Sequence, residues 1–168
     1  MKPLEAAPVG RLDVVESWTV RTVGELSGVR AELESALPCD CPAARVGPTD
    51  GLGGLSGSQR MVLVASELVA NALEHARPPV VARLLCDGHV TVVDVMDGSP
   101  EAPPVVPHDR LPGEGGHGLR LAAMIADRVG WYRTAHGRKH VWAQFATTEL
   151  PSLAASLAAA GDSAYRGA

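Results

Sequence analysis

The chain has 168 residues, of which 46% are hydrophobic and 20% charged, and a formal net charge of −4. A chain of this size forms one domain with a sizeable core, whereas its negative charge argues against direct nucleic-acid binding, which needs a basic face. No apolar run approaches the length of a membrane span. The N-terminus lacks the basic-then-apolar layout of a signal peptide, so we expect a cytoplasmic protein that does not bind membranes.

The N-terminal part is predicted to contain one strand and one helix. Residues 1–10 are expected to be a disordered lead, and residues 14–21 a strand. A helix that Thr22 or Ser27 can cap is expected to reach about Leu37, where a proline follows.

A loop rich in glycine and proline is predicted over residues 38–57, with a helix cap at Ser56 or Ser58. It contains Cys39 and Cys41, which could form half of a metal site, but no second Cys or His pair has ligand spacing. A loop without metal is the favoured interpretation. The odd count of three cysteines indicates free thiols.

The most informative segment is a helix predicted over residues 61–76, which is apolar except for a narrow polar stripe. Glu67, Asn71 and Glu74 follow one another at helical spacing. A surface helix shows the reverse pattern, an apolar stripe on a polar background. We therefore expect a helix that is buried on most sides and turns Glu67 and Asn71 toward a cleft. The alternative is a hydrogen-bonded pair of polar core residues.

Two hairpins are expected in the second half of the chain. Residues 80–86 and 90–96 are β-branched and aliphatic runs joined by Asp-Gly-His, and residues 129–135 and 139–146 form a similar pair. One Ala-rich helix is expected in the tail after Glu149. The order of elements predicts an α/β two-layer sandwich, with a mostly antiparallel mixed sheet and the helices on one face.

The domain is predicted to span residues 11–148, followed by a tail over 149–168. Residues 99–116 hold five prolines and several glycines, a composition expected of a lid or a disordered segment. The run from Gly113 to Leu119 then leads into a helix predicted over 119–127. Glycines before a helix let backbone N–H groups approach an anion, although a flexible linker has the same composition.

A second polar position is Asp97, where the strand over 90–96 ends. Val93, Val95 and Asp97 share parity, so the carboxylate continues an otherwise buried face, whereas Asp94 is expected to face solvent. A buried carboxylate must be hydrogen-bonded, and it can accept from an exocyclic amine such as that of adenine. The alternative is an aspartate that only caps the Asp-Gly turn.

The order and spacing of these motifs resemble the GHKL (Bergerat-fold) ATP-binding family. The match is closest to its small branch of anti-sigma factor serine kinases. Ser66-Glu67-Leu68-Val69-Ala70-Asn71-Ala72 is similar to the N box of that branch, Val95-Met96-Asp97-Gly98-Ser99-Pro100 to its G1 region, and Gly116-His117-Gly118-Leu119 to its G2 region. The resemblance covers about residues 14–146.

The resemblance implies a role for each matched residue. Glu67 would be the general base, Asn71 would coordinate Mg²⁺, and Asp97 would bind the adenine amine of ATP. Gly116 and Gly118 would let the lid and the helix N-terminus cradle phosphate. The other matched positions are expected to contact the nucleotide: Gly98, Ser99, His117 and Leu119. An ordinary surface histidine is the alternative for His117.

The resemblance implies an ATP-dependent protein serine/threonine kinase that holds a sigma factor and phosphorylates an anti-anti-sigma partner. It also makes a homodimer plausible. The chain departs from the broader family after Asp97, since Ser99 and Pro100 stand in a run where the family has further glycines. This departure motivates an alternative, an ATP- or ADP-sensing regulatory module without chemistry. A structural interaction domain with a degenerate pocket is the third hypothesis.

Overall fold

The computed structural model describes residues 11–37, 55–101, 104 and 117–146. Its strands, in chain order, are β1 (Asp13–Val20), β2 (Val80–Cys86), β3 (Val90–Asp97), β4 (Arg128–Arg133) and β5 (Lys139–Ala146). Its helices are α1 (Leu26–Ala36), α2 (Gly57–His75) and α3 (His117–Ile125). Among these described residues, no helix has the length and apolar character needed to cross a membrane.

Several predictions lie outside the described residues and stay predictions. They are the disordered lead over 1–10, the cysteine pair in the 38–57 loop, most of the 99–116 lid and the Ala-rich tail helix. The bounds of the domain, 11–148, also stay a prediction.

The five strands form one sheet in the order β1-β2-β3-β5-β4, and every neighbouring pair is antiparallel. Both predicted hairpins are present, and each turns through a glycine with a positive φ, 88° at Gly88 and 69° at Gly137. Because β3 pairs with β5, the first hairpin lies directly beside the second. The predicted two-layer sandwich is confirmed.

The helices cover one face of this sheet and enclose the main core. The longest helix, α2, packs on β2, β3 and β5, while α1 packs on β1 and α3 on both α2 and β4. The core residues that α2 contributes share one apolar surface: Met61, Val64, Ala65, Leu68, Val69 and Ala72. Burial on several sides explains why α2 is apolar around most of its circumference.

The observed helix starts agree only in part with those predicted from the sequence. Ser56 caps α2 as predicted, in a reciprocal capping box with Gln59. The capping predictions for α1 are wrong, because a 3-10 turn over Val23–Glu25 precedes this helix and Thr22 makes no side-chain cap hydrogen bond. Helix α3 starts at His117, two residues earlier than predicted.

The alternation predicted for β3 is confirmed for Asp97 and wrong for Asp94. Asp97 follows Val93 and Val95 on the helix-facing side and is 1% exposed. Asp94 does lie on the opposite face, but it is fully buried there. Strand parity specifies the face of a residue and not what covers that face.

Neighbouring strands supply the groups that bury Asp94. Arg83 on β2 donates from Nε and Nη2 to Asp94 Oδ2, at 2.9 and 2.6 Å. His140 on β5 lies 3.0 Å away through Nδ1, and the ring of Tyr132 stacks on its imidazole with the centroids 4.5 Å apart. The same face carries a small apolar cluster: Leu85, Val92 and Trp142.

Candidate functional site

The polar stripe of α2 runs from the interior to solvent. Glu67 and Asn71 are half-buried, whereas Glu74 is exposed and lies 3.8 Å from the exposed His75. As predicted, the helix is buried on most sides. Glu67 and Asn71 are therefore the part of the stripe that can act within a cleft.

Ser66, next to this pair, has a structural role that the sequence did not reveal. Its hydroxyl donates to the carbonyl of Val62 at 2.7 Å and accepts from Arg30 Nε at 2.7 Å. Because Arg30 belongs to α1 and Val62 to α2, the bond from Arg30 ties α1 to the centre of α2. Ser66 thus fixes the helix that carries Glu67 and Asn71.

The start of α3 lies directly against the stripe. A Cβ atom added to Gly118 would lie 2.7 Å from both Asn71 Nδ2 and Glu67 Oε2, and 3.0 Å from Glu67 Cβ. Any larger residue would force these groups apart, so glycine is required for this approach. The structure thereby brings together three predicted site residues that lie as much as 51 positions apart in the sequence.

The structure describes the other residues of the glycine-rich motif only in part. Gly116 lies outside the described residues, and of His117 only the backbone is described, as the first residue of α3. Leu119 is 4% exposed and packs in the main core, where it anchors the start of α3. The first N–H groups of a helix lack partners within the helix and favour an anion. Glu67 and Asn71 consequently face a position suited to phosphate.

Asp97 forms the second part of the site. Its Oδ1 accepts a hydrogen bond from the N–H of Ser99 at 2.8 Å, and its Oδ2 lies 3.2 Å from Lys139 Nζ. The turn-capping interpretation therefore holds for one oxygen, while the other belongs to a buried ion pair. A carboxylate accepts about four hydrogen bonds, so these two partners leave capacity for a ligand amine.

The turn after Asp97 is attached to the end of α2. The Ser99 hydroxyl accepts from the N–H of Arg77 at 3.1 Å. A Cβ added to Gly98 would meet the Arg77 carbonyl at 3.5 Å and Arg138 Nη1 at 3.8 Å. Both parts of the site therefore lie on the helix-facing side of the sheet and are joined through the residues just after α2.

No sequence motif pointed to three cationic residues that lie near Asp97: Arg77, Arg138 and Lys139. A parity argument could have found Lys139, because it shares a strand face with Val141 and Ala143, which belong to the buried side. The partnership with Asp97 depends on the register between β3 and β5, in which these two residues are directly opposite.

The residues present fit a magnesium nucleotide. Within the described ranges, no three His, Cys, Asp or Glu side chains form a group that could hold a metal ion by themselves. Mg²⁺ does not need such a cage, since it commonly binds one or two protein oxygens together with substrate phosphates and water. The amide oxygen of Asn71 would serve in this way beside a phosphate bound at the start of α3.

The family comparison agrees with this fold. Residues 20–145, about three quarters of the chain, match the family described as the histidine kinase-like ATPase domain. The chain therefore belongs to the histidine kinase-like ATPase domain family, and it is an ATP-binding domain of that kind. No curated protein matches the chain.

Proposed function

We propose that this domain is a regulatory protein serine/threonine kinase that transfers phosphate from ATP to an anti-anti-sigma partner. The observation that carries the proposal is the approach of Gly118 to Glu67 and Asn71. It gathers a carboxylate, an amide and a helix N-terminus at one place. Phosphoryl transfer requires positioning and neutralisation of charge more than covalent participation of the protein, and these three groups suit that task.

Each residue has a defined part in the proposed reaction. Glu67 accepts the proton of the substrate hydroxyl while the hydroxyl oxygen bonds to the γ-phosphorus. The bond from that phosphorus to the oxygen bridging the β- and γ-phosphates breaks, and ADP leaves. The N–H groups at the start of α3 hold phosphate oxygens, and Asp97 orients the adenine through its amine. Mg²⁺, held by Asn71, would neutralise phosphate charge when bound.

The proposed partners follow from the resemblance to the anti-sigma branch. They are a sigma factor, an anti-anti-sigma protein and a second copy of this chain, in a cytoplasmic setting. The motifs that support this choice of branch are the N box over 66–72 and the G1 region over 95–100. Copurification of the chain with each sigma factor of its own organism, in the presence of ATP or ADP, tests the first of these interactions.

A phosphotransfer assay tests the kinase activity. The purified chain is incubated with Mg²⁺, γ-labelled ATP and each anti-anti-sigma protein of its organism. We expect label on a serine or threonine of one partner, and loss of that label with Glu67→Gln although ATP still binds. The matched control is Glu74→Gln, which changes an exposed carboxylate on the same helix and should leave transfer unchanged. Absence of labelled partner would rule out the kinase.

The alternative function is an ATP- or ADP-sensing module without chemistry. The hydrogen bond between Ser99 and Arg77 favours it, because it attaches the first residues after Asp97 to the end of α2 and restricts the start of the following segment. In that case nucleotide binding persists without transfer, and Glu67→Gln changes neither the affinity for ATP nor the response of the partner.

A further inference from the structure

A buried lysine lies beside the aspartate that is assigned to the adenine amine. Lys139 Nζ is 3.2 Å from Asp97 Oδ2, and the two side chains are 8% and 1% exposed. They stand on directly opposed residues of β3 and β5. Lysine is rarely buried to this extent unless it is paired, and the Asp97 carboxylate is a partner that balances its charge.

Stability alone is a poor explanation for this pair. Removing two charges from water costs several kcal/mol per ion, and well-packed apolar residues in their place are often as stable or more so. The pair also lies at the end of an apolar strand face. This face is on the side of the sheet that the helices cover, and those helices carry Glu67, Asn71 and Gly118. A hydrogen-bonding role toward a ligand accounts for both its chemistry and its position.

Adenine has the pattern of groups that such a pair can bind. Its amine is a donor flanked on either side by a ring nitrogen that accepts, N1 on one edge and N7 on the other. A carboxylate next to an ammonium presents the complementary order of acceptor and donor. In the same orientation guanine would place a carbonyl oxygen, rather than an amine, against Asp97.

We propose that Lys139 is a specificity-determining residue that donates from Nζ to a ring nitrogen of adenine while Asp97 accepts from the neighbouring amine. This inference rests on the binding of ATP in the proposed function and is independent of phosphate transfer. If Lys139 only neutralises Asp97, the loss of a ring nitrogen from adenine should change the affinity for the nucleotide equally with and without Lys139.

Calorimetric titration with ATP, 1-deaza-ATP, 7-deaza-ATP and GTP tests the inference. On the native chain we expect one of the two deaza analogues to bind roughly 10- to 100-fold more weakly than ATP, the effect of losing a hydrogen bond from a charged donor. With Lys139→Met, ATP should bind more weakly and that same analogue should lose its disadvantage.

Arg133→Met is the matched control, since Arg133 is exposed and stands opposite Lys139 in the β4–β5 pair. It removes one positive charge from the same end of the sheet, and it should preserve the difference between ATP and the analogue. A preference that survives in Lys139→Met, or that disappears in Arg133→Met, overturns the assignment to Lys139.

The measurements on the native chain remain decisive even if Lys139→Met does not fold. Equal affinity for ATP and both deaza analogues overturns the inference and leaves ATP binding intact, as does tighter binding of GTP than of ATP. Failure of the native chain to bind ATP would overturn the proposed function as well. ATP binding with the expected preference over one deaza analogue, but without phosphotransfer, supports the assignment to Lys139 and overturns only the kinase activity.

Discussion

Gly118 and Glu67 are in such close contact that a methyl group on Gly118 would lie 2.7 Å from Glu67 Oε2. Gly118→Ala must displace either α3 or the Glu67 side chain. We expect ATP to bind at least about tenfold more weakly, with a loss of about 1–3 kcal/mol in the free energy of unfolding from overpacking. Calorimetry and urea denaturation measure the two effects.

The control for this substitution is Gly28→Ala in α1. A Cβ at Gly28 would meet no atom within 4 Å. Alanine is favoured over glycine in a helix by about 1 kcal/mol, so this variant should be slightly more stable and should bind ATP normally. An ATP affinity that is unchanged in Gly118→Ala would contradict the placement of phosphate at the start of α3.

Asn71→Ala should remove the dependence of ATP binding on Mg²⁺. The native chain is expected to bind ATP more tightly with Mg²⁺ than with a chelator, because the amide oxygen and the phosphates share the ion. In the variant the two affinities should become equal, while Glu74→Ala, one turn further along α2, should behave as the native chain. Titrations of each variant with and without Mg²⁺ provide the comparison.

Asp94 and Asp97 lie three residues apart on opposite faces of the sheet, each in a buried ion pair, and only the substitution of Asp97 should weaken ATP binding. Asp94→Asn breaks a buried ion pair with Arg83, and we expect a loss of about 3 kcal/mol in the free energy of unfolding. Its affinity for ATP at a temperature where it is folded should be normal. Asp97→Asn also breaks a buried ion pair, with Lys139, and should lower the free energy of unfolding too. Unlike Asp94→Asn, it should in addition weaken ATP binding to the folded protein by at least about tenfold. Weaker ATP binding in Asp94→Asn together with unchanged ATP binding in Asp97→Asn would mean that adenine does not bind at Asp97.

Ser66→Ala tests whether the serine of the N box is structural. It removes a hydroxyl that bonds both Val62 and Arg30, and should reduce the free energy of unfolding by about 1–2 kcal/mol. The ATP affinity of the folded protein should be retained. Ser35→Ala removes an exposed hydroxyl that donates to the Ala31 carbonyl within the same helix, and its effect on urea denaturation should be smaller.

Tyr132 should titrate later than an ordinary phenol. Burial raises its pKa above 10.0, and the negative charge of Asp94 acts in the same direction, with Arg83 opposing them. A pKa raised by folding stabilises the protein fully below pH 10, and this stabilisation is lost as the pH rises through the folded pKa. An absorbance titration in a Tyr165→Phe background isolates this group, since the chain has two tyrosines. A titration at or below pH 10 would contradict the prediction.

Local sequence patterns predicted most of the secondary structure, because helices, strands and turns depend largely on residues that are close together in the chain. Runs of β-branched and aliphatic residues indicated β2 and β3, and glycine marked the turns at Gly88 and Gly137, where a positive φ is needed. The wrong prediction at Asp94 concerns a group whose environment is supplied by other elements, whereas the one at Thr22 fails because a 3-10 turn directly follows this residue. In particular, no local pattern shows that Arg83 and His140 cover Asp94.

The sequence by itself singled out Glu67, Asn71 and Asp97 as candidates for the chemistry, because they were identifiable as polar groups on otherwise apolar faces. Only the tertiary structure decided what these groups contact. The pairing of β3 with β5 places Lys139 on Asp97, and the packing of α3 on α2 places Gly118 on Glu67 and Asn71. These contacts join residues that are distant in the chain. Strand register and helix packing set the distances between such residues, and the periodicity of apolar residues along the sequence does not specify either of them.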